Sequence, residues 1–183
     1  MKKELRQILN WDAKISKTLL LPDNKSALAW IMKIFAHSAD SWFWISGLIL
    51  VWFFAKGAWR ERALFLAAGL FIMAIAVILL KFLIRRPRPE GEWGQIYRIT
   101  DPHSFPSGHA ARSAALMVMA LALGPPWFGV VTAIWAPWVG ISRVALGVHY
   151  IFDVLAGWVV GAMMGLIALA LKPLLLQVLS FLL

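Results

Sequence analysis

His149 and Asp153 stand four residues apart, the spacing that stacks two side chains on one face of a helix. A carboxylate so placed holds the proton of one imidazole nitrogen and leaves the other nitrogen's lone pair free to attack phosphorus. A second histidine, His109, follows Pro106-Ser107-Gly108 and is the candidate general acid for a departing oxygen. Three cations complete the set: Lys81, Arg88 and Arg143. Gathering them at one membrane rim is unfavourable unless an anion binds among them. Phosphate suits both the bidentate arginine fork and the compact lysine ammonium. Ser107 and Gly108 open a helix, where free N–H groups and the helix dipole favour the same anion, and glycine permits close backbone approach. The chemistry within reach is in-line displacement at phosphorus by His149, through a phosphohistidine that water then hydrolyses. Fixed cations supply the charge that a divalent metal supplies elsewhere, so neither a metal nor a cofactor is expected.

Taken singly, each residue has a plainer reading. A lysine or arginine at the end of an apolar stretch usually snorkels to lipid head groups, and an interfacial histidine is more often structural than catalytic. The conjunction carries the inference. His37 and His103 have no such company and read as structural or loop residues. Arg112, one helical turn past His109, keeps two readings: it snorkels or pairs with Asp101 or Asp153, or it is a fourth cation suited to a second phosphate.

The elements that must position these groups are membrane spans. The chain has 183 residues, 61% of them hydrophobic, and a mean hydropathy of +0.76, which is too apolar for a soluble domain. Its net charge of +9 sits at the ends of apolar blocks, which fits membrane flanks and anionic head groups and not nucleic acid. Cysteine is absent, excluding disulfides and thiolate chemistry, and eleven tryptophans suit interfacial anchoring. Apolar blocks predict spans at 42–54, 63–84, 107–124, 127–141 and 150–171, with a polar Pro/Gly-rich surface loop at 85–105. Residues 27–35 are too short to cross alone and add a sixth span only as part of a broken crossing. The first 21 residues carry Glu4, Arg6, Asp12, Lys14 and Lys17 among apolar residues, which predicts an amphipathic interfacial helix and not a signal peptide. The expected architecture is therefore an all-α, multi-pass transmembrane bundle of five or six spans. It forms a single domain over 1–183, with residues 1–40 as its interfacial N-terminal segment. Five spans gather all the unusual polar residues on one side.

Lys81, six residues, Arg88-Pro89; then Pro106-Ser107-Gly108-His109; then Ser142-Arg143, five residues, His149, three residues, Asp153: this resembles the three-part signature of the type 2 phosphatidic acid phosphatase family, shared with vanadium haloperoxidases and bacterial acid phosphatases. The resemblance runs from Lys81 to Asp153, with every signature position filled. It implies that Lys81, Arg88 and Arg143 hold phosphate and that Ser107 and Gly108 add hydrogen bonds. It further implies that His109 is the acid and His149 the nucleophile oriented by Asp153. An arginine at position 112 resembles a subset acting on polyisoprenyl diphosphates. The implied activity is a metal-independent lipid phosphatase, with phosphatidic acid, phosphatidylglycerophosphate or undecaprenyl diphosphate as substrates and the bilayer as its partner. A vanadate-dependent haloperoxidase is opposed by the spans, and a non-catalytic anionic-lipid carrier has no need of His149 with Asp153. With five spans, ten noncatalytic Lys/Arg lie on the site's side against four opposite, which taken alone favours a cytoplasmic site. A sixth span would reverse that count, and bacterial members of the family usually face outward, so the expectation is an extracytoplasmic site in the cell membrane.

Overall fold

The computed structural model describes residues 2–23, 25–90 and 101–183, so the middle of the predicted 85–105 loop lies outside the described residues. Helices α1 (Lys2–Thr18), α2 (Ala27–Ser38), α3 (Ser41–Phe54), α4 (Ala58–Ile84), α5 (Gly108–Leu123), α6 (Pro126–Ala145), α7 (Ile151–Ala170) and α8 (Lys172–Val178) follow one another, ending in a short 3₁₀ turn. Among the described residues the one element of sheet is an isolated bridge between Pro87 and His103, so the expected all-α class stands.

Local chemistry explains the boundaries. Ser26 caps α2 by accepting from Ala29 N at 3.2 Å, and Pro126 opens α6, where its missing N–H is no loss. Helix α4 stops where Arg85 enters the left-handed region at φ 52° and its N–H returns to the Lys81 carbonyl. Helix α6 runs four residues beyond the predicted end at 141, and within that extra turn Ser142 Oγ bonds back to Val139 O at 2.7 Å, which satisfies the buried hydroxyl. Ser142 and Arg143 thus belong to the helix and not to the joint after it.

Helices α4, α6 and α7 are each long and apolar enough to cross a membrane, and α2 with α3, bent by 55° at their break, pass the same test together. Helix α5 is apolar but has only 16 residues, short of the ~20 that a straight crossing takes. Among the described residues three helices, or four spans with the bent pair, are thus long and apolar enough to cross, against the five or six expected. The outer surface suits hydrocarbon: Phe53, Phe54 and Leu83 are 71%, 74% and 79% exposed, which in water would be an aggregation surface.

Helix α5 is the hub, packed most extensively on α7, then on α6, with α4 closing the third side. The α5–α7 contact depends on glycines spaced four apart on α7. A Cβ added at Gly161 would lie 2.0 Å from Ala111 O, and one at Gly157 2.6 Å from Ser107 O. Small residues at this spacing let two helix backbones meet without side chains between them. The start of α5 is thereby pressed against the start of α7, and Ser107 N donates to Asp153 O at 2.9 Å. Between α6 and α7 the chain reverses through Gly147, whose φ of +69° few other residues adopt readily. That short reversal keeps Arg143 and His149 neighbours.

Candidate active site

Helices α4, α5 and α6 and the segment leading into α7 converge on one cavity of about 210 Å³, whose lining includes Lys81, Arg88, Gly108, His109, Arg112, Arg143 and His149. Every predicted cation and both predicted histidines therefore meet there. Two predicted residues do not line it. Ser107 is fully buried and its Oγ accepts from Ala110 N, capping α5. Asp153 lies one layer behind His149. At Gly108 a Cβ would meet no protein atom nearer than Val77 Cγ1 at 3.8 Å. Packing does not require glycine there, and the open space belongs to the cavity.

The nucleophile candidate is placed by backbone first. Val148 N and His149 N both donate to the Arg143 carbonyl, at 3.1 and 3.2 Å, so the chain after α6 curls back and presents the ring to the cavity. Arg88 Nη1 lies 3.2 Å from His149 Nε2 and also donates to Val148 O at 3.0 Å. A guanidinium can only donate, so Nε2 accepts and the ring proton sits on Nδ1, facing Asp153 Oδ2 at 3.5 Å. That is the tautomer a nucleophilic Nε2 requires. Burial, reinforced by the charges of Arg88, Arg143 and Lys81, holds His149 well below the ordinary imidazole range.

The pairing of His149 with Asp153 differs from the expected stacking on a helix face. Helix α7 begins at Ile151, so His149 precedes it, and Asp153 is the third residue of the first turn, accepting from Tyr150 N at 3.0 Å. The carboxylate is engaged in a cap, which leaves its contact with Nδ1 too long for a strong hydrogen bond. Its short partner is Arg86, whose Nη1 stands 2.8 Å from Asp153 Oδ1.

Sequence reasoning passed over four charged residues that the fold brings in. Asp101 Oδ2 accepts from Lys81 Nζ at 2.5 Å and Arg88 Nη2 at 2.7 Å, placing a carboxylate against two of the cations that line the cavity. Arg86 reaches past Asp153 to Asp12 Oδ2 of α1 at 2.7 Å, with its guanidinium 4.0 Å from the Tyr150 ring centroid. Asp40, at the α2–α3 break, lies 2.8 Å from His109 Nε2. Arg112 is not paired with Asp101 or Asp153; it donates to Ala39 O and Ser41 Oγ on either side of Asp40. His103 contributes its carbonyl to Lys81 Nζ at 2.9 Å, and His37 its Nδ1 to Asp40 Oδ2 at 3.1 Å. Asp12 is buried beside Ser16, four residues on and on the same face of α1, and both face the start of α7.

This geometry has relatives. The decaprenylphosphoryl-5-phosphoribose phosphatase of Mycobacterium tuberculosis is 36% identical over 110 residues, 59% of this chain and 60% of that protein. The undecaprenyl-diphosphatase of Sulfolobus acidocaldarius is 36% identical over 70 residues, 38% of this chain and 34% of that one. The chain thus spans at most about 60% of the length of these curated relatives. Among solved structures, a transmembrane PAP2-type phosphatidylglycerolphosphate phosphatase from Bacillus subtilis superposes with a TM-score of 0.74 at 24% identity, over 91% of this chain and 87% of that one. It shares the fold. Residues 62–175, which carry the whole constellation from Lys81 to Asp153, match the sequence profile of the PAP2 superfamily, and the chain belongs to that family.

Proposed function

We propose that this protein is a membrane-embedded lipid phosphatase that hydrolyses a lipid phosphate or diphosphate through a phosphohistidine at His149. The observation that carries the reading is the Arg88–His149 contact: a guanidinium holds the lone pair of Nε2 inside a cavity that Lys81 and Arg143 also line. A phosphate entering there takes over the cationic donors and meets a neutral, correctly protonated imidazole. Nε2 forms a bond to phosphorus while the bond to the lipid oxygen breaks, and His109 delivers a proton to that oxygen. Water, giving its proton to His109, then attacks phosphorus and releases His149 and inorganic phosphate. Lys81, Arg88 and Arg143 hold the phosphoryl oxygens, and the N-terminus of α5 at Gly108 adds its dipole.

Support for a lipid substrate comes from the cavity's surroundings. A second, apolar cavity of about 230 Å³ lies among residues of α3, α4 and α5 beyond Ser41, Met73 and Arg112, in the direction away from the head-group site. The last lining residue of the first cavity on α5, Arg112, and the first of the second, Met119, are separated by about 10 Å of helix. The names of the two curated relatives favour a polyprenyl tail, and Arg112 in the cavity lining favours a diphosphate head. We place the site on the outer face of the membrane, on five crossings or six. The absence of cysteine lets single introduced cysteines, labelled with a membrane-impermeant reagent in intact cells, test the sidedness.

The deciding experiment is phosphate release in detergent with EDTA present, on phosphatidic acid, phosphatidylglycerophosphate and undecaprenyl diphosphate. Activity on at least one, lost in His149→Ala, is expected. No release from any lipid phosphate, or persistent activity in His149→Ala, overturns the reading.

A further inference from the structure

Asp40 begins α3 in the extended conformation of an N-cap residue, with φ −61° and ψ 144°, yet its side chain makes no capping hydrogen bond. That is a departure for aspartate, whose carboxylate ordinarily satisfies a free N–H of the first turn. Both oxygens are committed elsewhere. Oδ1 lies 2.8 Å from His109 Nε2; Oδ2 lies 3.1 Å from His37 Nδ1 and accepts from Trp42 Nε1 at 3.3 Å. The carboxylate and His109 are mostly buried, at 17% and 16% side-chain exposure, whereas His37 is 49% exposed.

The backbone around Asp40 is fastened on both sides. Arg112, three residues after His109 and hence on the same face of α5, donates to Ala39 O and to Ser41 Oγ. Ser38 is held by Trp44 Nε1 on its carbonyl at 3.0 Å and by Trp135 Nε1 on its hydroxyl at 2.7 Å. The break between α2 and α3 is therefore fixed by four side-chain contacts, and its product is one carboxylate set against His109 of the cavity, with His37 on its other oxygen. A joint that only connected two helices would need none of this.

We propose that Asp40 is the positioning residue of the general acid His109, and that His37, on the carboxylate's other oxygen, links the pair to solvent. The proposal rests on the lipid phosphatase reading and deepens it by explaining how the acid's ring is oriented and its protonated form favoured. With Nε2–H held by Asp40, the other ring nitrogen exchanges a proton with the leaving oxygen in the first step and with water in the second. The charged groups facing His109 are Asp40 with His37 from the break, Arg112 from α5 and Arg143 from α6. The two arginines oppose the imidazolium and the carboxylate favours it. Removing Asp40's charge must therefore deprotonate His109 at lower pH.

The test uses two substrates for the full-length protein in detergent: an alkyl phosphate with a poor leaving group, represented by the active lipid from the panel above, and an activated aryl phosphate whose leaving group needs no proton. Asp40→Asn should lower kcat/KM on the lipid by about ten- to a hundredfold. On the aryl ester the change should stay within about threefold, and the alkaline limb of the lipid pH profile should move to lower pH. Asp40→Glu, which keeps a carboxylate, should recover part of the lipid activity. Asp40→Asn added to His109→Ala should cost nothing more. Equal losses on both substrates with no recovery in Asp40→Glu, or no loss on either, overturn the proposal. A wild-type protein inactive on every phosphate ester overturns the lipid phosphatase reading instead.

Discussion

Arg86 Nη1 stands 2.8 Å from Asp153 Oδ1 with both side chains buried, and the same guanidinium places Nη2 2.7 Å from Asp12 Oδ2. One cation thus joins helix α1 to the carboxylate behind His149. Helix α1 is fitted to α7 at the same point, since Ser16 Oγ accepts from Ile151 N at 2.9 Å and Asp12 Oδ1 from Phe152 N at 3.3 Å. Its side chains cap a helix far away in sequence.

Removing Arg86 leaves two buried carboxylates without their shared partner. Arg86→Ala should cost about 3–5 kcal/mol of stability, the range for a broken buried ion pair. Thermal unfolding in detergent reads the loss. Arg86→Lys should recover little, because an ammonium cannot reach two carboxylates as a planar fork and stack on Tyr150 at once. A wild-type melting temperature in Arg86→Ala would show that the bridge carries no stability.

Gly161 is where α5 and α7 come closest. Gly161→Ala sets a methyl 2.0 Å from Ala111 O, a contact that only helix separation relieves. The expected cost is at least the ~1–3 kcal/mol of an overpacked core. Activity should fall as well, since the separation moves His109 away from His149. Gly47→Ala is the control: nothing lies within 4 Å of the added Cβ, and within α3 it should be neutral or stabilising by up to ~1 kcal/mol. Equal melting temperatures for the two variants would refute this account of the packing.

How much of this was legible in the sequence depends on how far apart the partners are. Lys81, Arg88, His109, Arg143 and His149 could be grouped because each sits where an apolar block meets a polar joint, and consecutive spans return such joints to one side. The helices themselves follow from apolar block length. Arg86 and Asp153 are 67 residues apart and His109 and Asp40 are 69 apart, and no periodicity announces such pairs; only packing does. Asp12 looked like one more charge on an amphipathic helix, and its burial needs α7 alongside. The spacing of His149 and Asp153 was read as helical because nothing in Tyr150-Ile151 says that α7 starts between them.

The titration of His149 should reflect its site. Its depressed pKa, caused first by burial and then by Arg88, Arg143 and Lys81, means that the folded protein keeps the ring neutral below pH 6.5, where the unfolded chain protonates. Its contribution to stability is therefore present above the unfolded pKa and is lost as pH falls through the folded one. Histidine NMR in detergent should show the His149 ring, assigned by the signal lost in His149→Ala, still neutral at pH 6. Saturating inorganic phosphate, which offsets the three cations, should raise that ring's pKa. A ring titrating at the ordinary imidazole value, indifferent to phosphate, would contradict the geometry.

Asp101 holds Lys81 and Arg88 while its side chain remains 40% exposed. On the proposed function, an arriving phosphate must compete with this carboxylate for the same donors. Asp101→Asn removes the competing charge and should tighten competitive inhibition by inorganic phosphate, on the order of tenfold, equivalent to about 1.4 kcal/mol. A weaker or unchanged inhibition constant would mean that Asp101 orients the cations and does not compete with the substrate.

Arg112→Ala should tell a monophosphate site from a diphosphate site. Arg112 lines the cavity with Lys81, Arg88 and Arg143, and its fork also holds Ala39 O and Ser41 Oγ. Arg112→Ala therefore loosens the α2–α3 break for every substrate, and that common loss is read on a prenyl monophosphate. If the guanidinium also meets a second phosphate, the diphosphate loses one more charge-assisted contact, worth about 1.5–3 kcal/mol. That corresponds to roughly a ten- to hundredfold further drop in kcat/KM. The excess should appear mainly in KM, because the distal phosphate is bound alike before and during the reaction. Matching losses on the two prenyl substrates would confine Arg112 to fastening the break, and the site would then recognise a single phosphate.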